Sequence, residues 1–310
     1  IHTIKDDLSP QGRTALKLGL ELGAKLGVNP YQFGFTGTTD THTALATSRE
    51  ENYCGKYKAT EPGPDRHNTP VIPSDDPSLQ ILTSQEAASG LTAVWARENT
   101  REAIFDSLMR KEVYSTTGTR IRVRVFAGWD FEPEDMADHD FVSQGYGRGV
   151  PMGGELASAP QADAPSSRAP RFMVRALRDP DGANLDRVQI IKGWLDAEGK
   201  SLERIYDVAV SGDRKADSRG RVKTPVGSTV DVKNATYTNA IGAPVLEAHW
   251  VDPDFDPAED AFYYVRVLEI PTPRWTTYDA AFFDIDRPKN VPATVQDRAY
   301  TSPIWYSGGP

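Results

Sequence analysis

From residue 120 onward the chain breaks into strand-length apolar runs with no helical pattern between them, and this limits its folds more than any other feature. "RIRVRVFAG" (120–128) alternates basic and apolar residues with period two, as a strand does when one face enters a core. "RFMVRAL", "RVQIIKGWL", "ERIYDVAVS", "APVLEAHWV" and "AFYYVRVLEI" follow, separated by turn chemistry such as Asp-Pro-Asp-Gly and Ala-Glu-Gly-Lys. Short strands in succession favour a β-sandwich. Residues 129–170, rich in Asp, Gly, Ala, Ser and Pro, read as a loop-rich lobe within that region, and no internal repeat is evident.

The front of the chain is patterned differently. In "LSPQGRTALKLGLELGAKLG" (8–27), Ala15, Leu16, Leu18, Leu20, Leu22 and Leu26 recur near helical spacing; Ser9 and Pro10 supply an N-cap and first-turn pair, and Gly27 a stop. Pro30 bars further helix, so Tyr31 to Thr39 reads as a buried strand. Residues 52–82 carry Pro62, Pro64, Pro70, Pro73 and Pro77 among Gly, Asp and Ser, the composition of a long loop. "LTAVWA" (91–96) is a short strand candidate. "NTREAIFDSLMRKEVYSTTG" (99–118) reads as a helix with Thr100 as N-cap, a stripe of Ala103, Ile104, Leu108 and Val113, and Gly118 as its end. The closing "TSPIWY" fits a final strand that returns Ile304 and Trp305 to a core.

Chemistry concentrates in "FTGTTDTHTALAT" (35–47). Residues two apart on an extended segment point the same way, so Asp40 and His42 can face one ion, with Thr38 in the same register. Carboxylate oxygen and neutral imidazole nitrogen together suit Zn²⁺, Mn²⁺ or Fe²⁺, and such an ion lowers the pKa of a bound water toward about 7, giving a nucleophile for hydrolysis. The spacing is also that of a turn in which Asp40 caps the backbone and His42 bonds to the loop.

Charge narrows the partners. With 35 Lys and Arg against 44 Asp and Glu, the net charge is −9, and the basic residues are scattered, so neither a nucleic-acid nor an anionic-membrane surface is indicated. No apolar run approaches the ~18 residues needed to span a bilayer. The start, Ile-His-Thr-Ile-Lys-Asp-Asp, has neither an initiator Met nor a signal-peptide core, so a processed or excised piece is expected. Cys54 is the single cysteine, which rules out an intrachain disulfide and leaves the compartment open: a soluble chain freed of its signal peptide, periplasmic or secreted, fits equally.

Several ordered blocks carry a family likeness. "LGVNPYQFGFTGTTDTHTALAT", "GLTAVWARENTREAIFDSLMRKEVYSTTGTRIRVR", "GVPMGGEL", "DPDGANLDRVQIIKGWLD", "PRWTTYDA" and "TSPIWY" resemble the closing half of the DUF3604 proteins, relatives of the polymerase and histidinol phosphatase (PHP) metallohydrolases. The resemblance implies an α/β plus β chain: the C-terminal part of a distorted PHP-type β/α barrel over residues 1–118, a β-sandwich-like domain over 119–270, and a tail, 271–310, packed back on the core. It implies a metal-dependent hydrolase, phosphoesterase-like, in which the late Asp-x-His pair, Asp40 and His42, supplies two metal ligands. The His-x-His motif that opens PHP barrels and the ligands of their middle strands are missing, and His2 does not sit in such a motif. Two protein ligands are fewer than the three of a catalytic zinc site. An upstream half of the barrel, on a separate or lost segment, is therefore the expected partner, beside a small-molecule substrate. The alternative is a non-catalytic binding or structural module built on the sandwich.

Other residues have simpler readings beside their functional ones. His67, in "GPDRHNTP", is placed to cover the site as a substrate-binding group, or is an exposed loop histidine. Arg49, with Glu50 and Glu51, is placed to reach an anionic substrate, or begins a solvated helix. Cys54 is a candidate thiolate ligand or a small buried hydrophobe. His139 and His249 fall in the β region and read as exposed or structural. "GVPMGGEL" lacks the Gly-Lys-Ser/Thr ending of a phosphate loop and reads as a tight turn into a strand. Arg274 in "PRWTTYDA" is positioned to stack on Trp275 or Tyr278.

Overall fold

The computed structural model describes residues 11–88, 90–136, 139–158 and 169–308. His2, the Ser9–Pro10 pair and part of the 129–170 lobe lie outside them. Helix α1 (Gln11–Leu26) is followed by a small hairpin, β1 (Pro70–Ile72) and β2 (Ile81–Leu82). Then come β3 (Leu91–Val94), α2 (Arg101–Met109), β4 (Val113–Thr116), β5 (Arg122–Gly128), α3 (Phe141–Arg148), β6 (Gly149–Pro151) and β7 (Glu155–Leu156). Long strands follow: β8 (Arg171–Leu177), β9 (Leu185–Leu195), β10 (Ser201–Val210), β11 (Val245–Val251) and β12 (Ala261–Glu269). The chain closes through β13 (Thr272–Pro273), α4 (Trp275–Phe283), β14 (Thr294–Val295), β15 (Arg298–Thr301) and β16 (Ile304–Tyr306).

Side-chain alternation on the central strands builds the layers. On β9, Val188 and Ile190 enter the main core while Ile191 enters a second cluster; on β12, Tyr263, Val265 and Val267 enter the first and Phe262 and Tyr264 the second. Successive residues of a strand face opposite ways, so both strands must be covered on both sides. One cover is the second sheet, whose β5 and β8 contribute Val123, Val125, Phe172 and Val174 to the main core. The other is α1, which presents Leu16 and Leu20, joined by Phe33 and Phe35. The outer face of the second sheet is closed by Phe131, Met136 and Phe141 over Phe126 and Met173. An eight-stranded sheet, ordered β10-β9-β12-β15-β4-β3 with β16 bridging β12 and β7, thus packs on a four-stranded sheet, β11-β8-β5-β6. All pairings are antiparallel except β16 with β7.

Three expectations are corrected. No closed barrel forms among the described residues. The strands before Gly118 pair antiparallel, and β4 joins β15 in the large sheet, across the expected boundary at 118. Tyr31 to Thr39 is not a ladder strand: it crosses the outer face of the sheet, with the Phe35 N–H bonded to Ser302 Oγ at 3.0 Å and the Phe35 ring edge-on to Tyr264 at 5.6 Å. The helix begun at Thr100, whose side chain caps the Ala103 N–H at 3.3 Å, stops at Met109. Lys111 then takes φ 61°, and "VYST" becomes β4 because its neighbours β3 and β15 offer it ladders on both sides. Leu108 of the expected stripe is exposed, as are Phe105 and Met109, while Ser107 is buried.

The long loop is pinned from a distance. Arg66 is buried and pairs with Asp279 of α4 through Nε to Oδ2 at 2.5 Å and Nη2 to Oδ1 at 2.7 Å. Its Nη1 donates to the Tyr53 carbonyl at 2.6 Å, and its guanidinium lies 4.6 Å from the Trp275 ring centroid. Arg274 donates to the Ser84 carbonyl at 2.8 Å and to that of Glu86. Loop residues 53–88 are thereby held on α4, which fixes the segment that faces Asp40 and His42.

Candidate functional site

Asp40 and His42 lie on an exposed loop braced by residues 54–60. The His42 N–H donates to the Lys56 carbonyl at 2.9 Å, and the imidazole stacks on the Tyr57 ring at 4.8 Å between centroids. Thr60 Oγ1 accepts the N–H groups of Lys56 and Tyr57, each at 3.0 Å. Gly55 is required here: its φ is +92°, and a Cβ would lie 2.1 Å from the Thr60 carbonyl oxygen. Asp40 has φ 50°, so the backbone turns at that residue and the premise of one extended register from Thr38 to His42 does not hold. The Asp40 carboxylate, 64% exposed, is paired with the Lys56 ammonium. That hydrogen bond chiefly, with smaller help from the charges of Lys56 and His42, holds the carboxyl below its ordinary value.

Glu86 is bonded to Tyr53, the residue before Cys54. Its Oε2 accepts the Tyr53 hydroxyl at 3.1 Å, and burial raises its pKa against the lowering effect of that bond and of Lys56. Cys54 is half-buried, with its N–H bonded to Thr47 Oγ1 at 2.9 Å. His67 is half-buried in the short turn 66–68, and no hydrogen bond or ion pair joins it to Asp40 or His42 among the described residues. The anchor in "GPDRHNTP" is the neighbouring Arg66.

Arg49 belongs to a different place, a narrow cleft lined by Thr119, Asp179, Tyr237, Glu269, Tyr278 and Asp297. Its Nη2 lies 3.3 Å from Asp181 and 3.5 Å from Asp179, and its Nη1 3.2 Å from Glu51, so three carboxylates already share its charge. The water-accessible space is ≈ 50 Å³, room for a few waters. Glu269 accepts the Thr119 hydroxyl at 2.5 Å; burial, with the nearby Asp297 charge, pushes its pKa to about 8. Burial also raises Asp297, which accepts the Thr117 hydroxyl at 2.6 Å. Glu50 is structural: its carboxylate takes the Ala88 N–H at 3.0 Å and the Trp275 N–H at 2.5 Å, satisfying a free donor at the start of α4.

A larger groove of ≈ 890 Å³ runs between α2 and α3 and was not anticipated from the sequence. The Arg124 guanidinium stacks on Trp95, 3.9 Å from the ring centroid, and donates to the Tyr146 hydroxyl at 2.8 Å. Buried Glu112 accepts from Arg110 Nε at 2.9 Å and from Tyr146. The one signal for it was the outward phase of "RIRVRV", which puts Arg122 and Arg124 on the face opposite Val123 and Val125.

A family model described as a protein of unknown function, DUF3604, matches residues 7–308. The chain belongs to the DUF3604 family. No curated protein and no solved structure matches it. In this DUF3604 chain, no group of three or more His, Cys, Asp and Glu side chains is arranged to hold a metal among the described residues. Asp40 and His42 fit a divalent transition metal in donor type and in solvent access, and fall short in number by at least one ligand. His249 bonds the Phe131 carbonyl at 2.9 Å, and His139 is exposed. No helix among the described residues is long and apolar enough to cross a membrane.

Proposed function

We propose that this DUF3604 chain contributes Asp40 and His42 to the metal centre of a PHP-type hydrolase acting on phosphoester bonds, with at least one further ligand supplied by another segment or a separate chain. One observation carries the reading: a carboxylate and an imidazole two residues apart stand on a braced, solvent-facing loop, where the carboxylate pairs with Lys56 among the described residues. Zn²⁺, Mn²⁺ or Fe²⁺ held there supplies Lewis acidity and lowers the pKa of water toward about 7. Tyr57 orients the imidazole by stacking, Gly55 and Thr60 fix the loop beneath it, and Lys56 keeps Asp40 ionised. No role in this centre is proposed for Arg49 or His67.

The test is zinc or manganese titration of the purified chain by calorimetry, beside the Asp40→Ala, His42→Ala double variant. One site per chain is expected, weakened at least ~10-fold in the variant, the scale of losing one or more ligand contacts. Equal binding by both proteins removes the reading. A second reading, a non-catalytic binding role for the sandwich, is favoured by the groove between α2 and α3, whose volume of ≈ 890 Å³ falls among known ligand pockets.

A further inference from the structure

Lys192 of β9 and Asp252, just beyond β11, form an enclosed pair with side chains 1% and 0% exposed. Lysine and aspartate are among the residues least often buried to this degree. The amine lies 2.8 Å from Asp252 Oδ2 and donates to the Asp254 carbonyl at 2.6 Å. The rings of Trp194 and Tyr263 flank it at 5.2 and 5.9 Å. The Asp252 carboxyl is held from both sides: the Tyr263 hydroxyl donates to Oδ2 at 2.7 Å and the Asp254 N–H to Oδ1 at 3.0 Å. β9 lies in the eight-stranded sheet and β11 in the four-stranded one, so the pair spans the sandwich.

We propose that Lys192 and Asp252 condense into an intramolecular isopeptide bond that clamps the two sheets together. A proton passes from Nζ to Oδ2 across their 2.8 Å contact, giving amine and carboxylic acid. The amine lone pair adds to Cγ and forms the C–N bond. Oδ2 then takes a second proton from the nitrogen and leaves as water as the C–O bond breaks. One ammonium and one carboxylate become one amide and one water, with no oxidant, cofactor or energy carrier. The Tyr263 hydroxyl and Asp254 N–H stabilise the charge that develops on the two oxygens during addition. The amine already stands 2.8 Å from Oδ2 of the carboxyl it would attack, held there by the enclosing sheets, and burial shields the product amide from hydrolysis.

Intact-mass spectrometry of the full chain under denaturing conditions tests this. The native chain is expected one water mass below its sequence mass, with a branched tryptic peptide that is uncleaved after Lys192 and joined to the Asp252 peptide. Lys192→Met is expected at its full sequence mass, and Asp252→Asn one ammonia mass below its own. A native chain at full mass, with the two residues recovered on separate peptides, overturns the proposal. So does a water deficit that persists in Lys192→Met, which would mark a cyclised aspartate such as the one in Asp181-Gly182.

Discussion

Glu269 shows how position decides the chemistry of a single side chain. Buried beside Asp297, it holds its proton to about pH 8, against 4.5 for an ordinary glutamate. A carboxyl raised in this way binds its proton more tightly folded than unfolded. Its stabilising contribution is therefore complete below the unfolded value of 4.5 and is lost as pH rises to about 8. Glu269→Gln keeps an acceptor for Thr119 and removes the titration. Thermal melts are expected to show the variant gaining on the native chain between about pH 5 and about pH 9, and parallel curves over that range would remove Glu269 as the source. Nothing in "VLEIP" announces this, because the burial comes from Thr119, Asp179 and Asp297, all remote in sequence. Asp40 and His42 are the reverse case. Their spacing could be read directly, and the tertiary structure added the partners Lys56 and Tyr57 and the turn at Asp40.

The element most dependent on one contact is the loop 53–88. Arg66→Ala leaves Asp279, 12% exposed, without its cation, a loss of about 3–5 kcal/mol for a broken buried pair. A lower urea midpoint and faster amide exchange throughout 53–88 are expected; exchange confined to residues next to Arg66 would show that the loop is held by other contacts. The prolines and glycines of this loop correctly marked it as irregular. They could not reveal its anchor, since Arg66 and Asp279 are 213 residues apart. The end of α2 was misjudged for a related reason: helical spacing alone cannot weigh the two ladders waiting for Val113–Thr116.

For the molecule as a whole, the pairing of β4 with β15 and of β15 with β12 makes the segment before Gly118 part of the large sheet. A chain beginning at Thr119 loses β3, β4 and α1, baring the edge of β15 and the outer faces of β9 and β12. It is expected to aggregate or to lack a cooperative melt, whereas residues 1–310 should unfold with coincident fluorescence and circular-dichroism transitions. A cooperative, monomeric 119–310 chain would show instead that the sandwich folds on its own.

Strand β5, strands β8 to β12, the closing β16, the cap at Thr100 and the Asp-x-His pair were all visible in the amino-acid order, because alternation, capping and spacing are properties of a few adjacent residues. The order of strands in the two sheets, the fate of 31–39 and 113–116, the Arg49 cleft, the α2–α3 groove and the Lys192–Asp252 pair emerged only on folding. Each depends on which distant surfaces meet, and that is decided by burying both faces of β9 and β12 at once rather than by any local pattern.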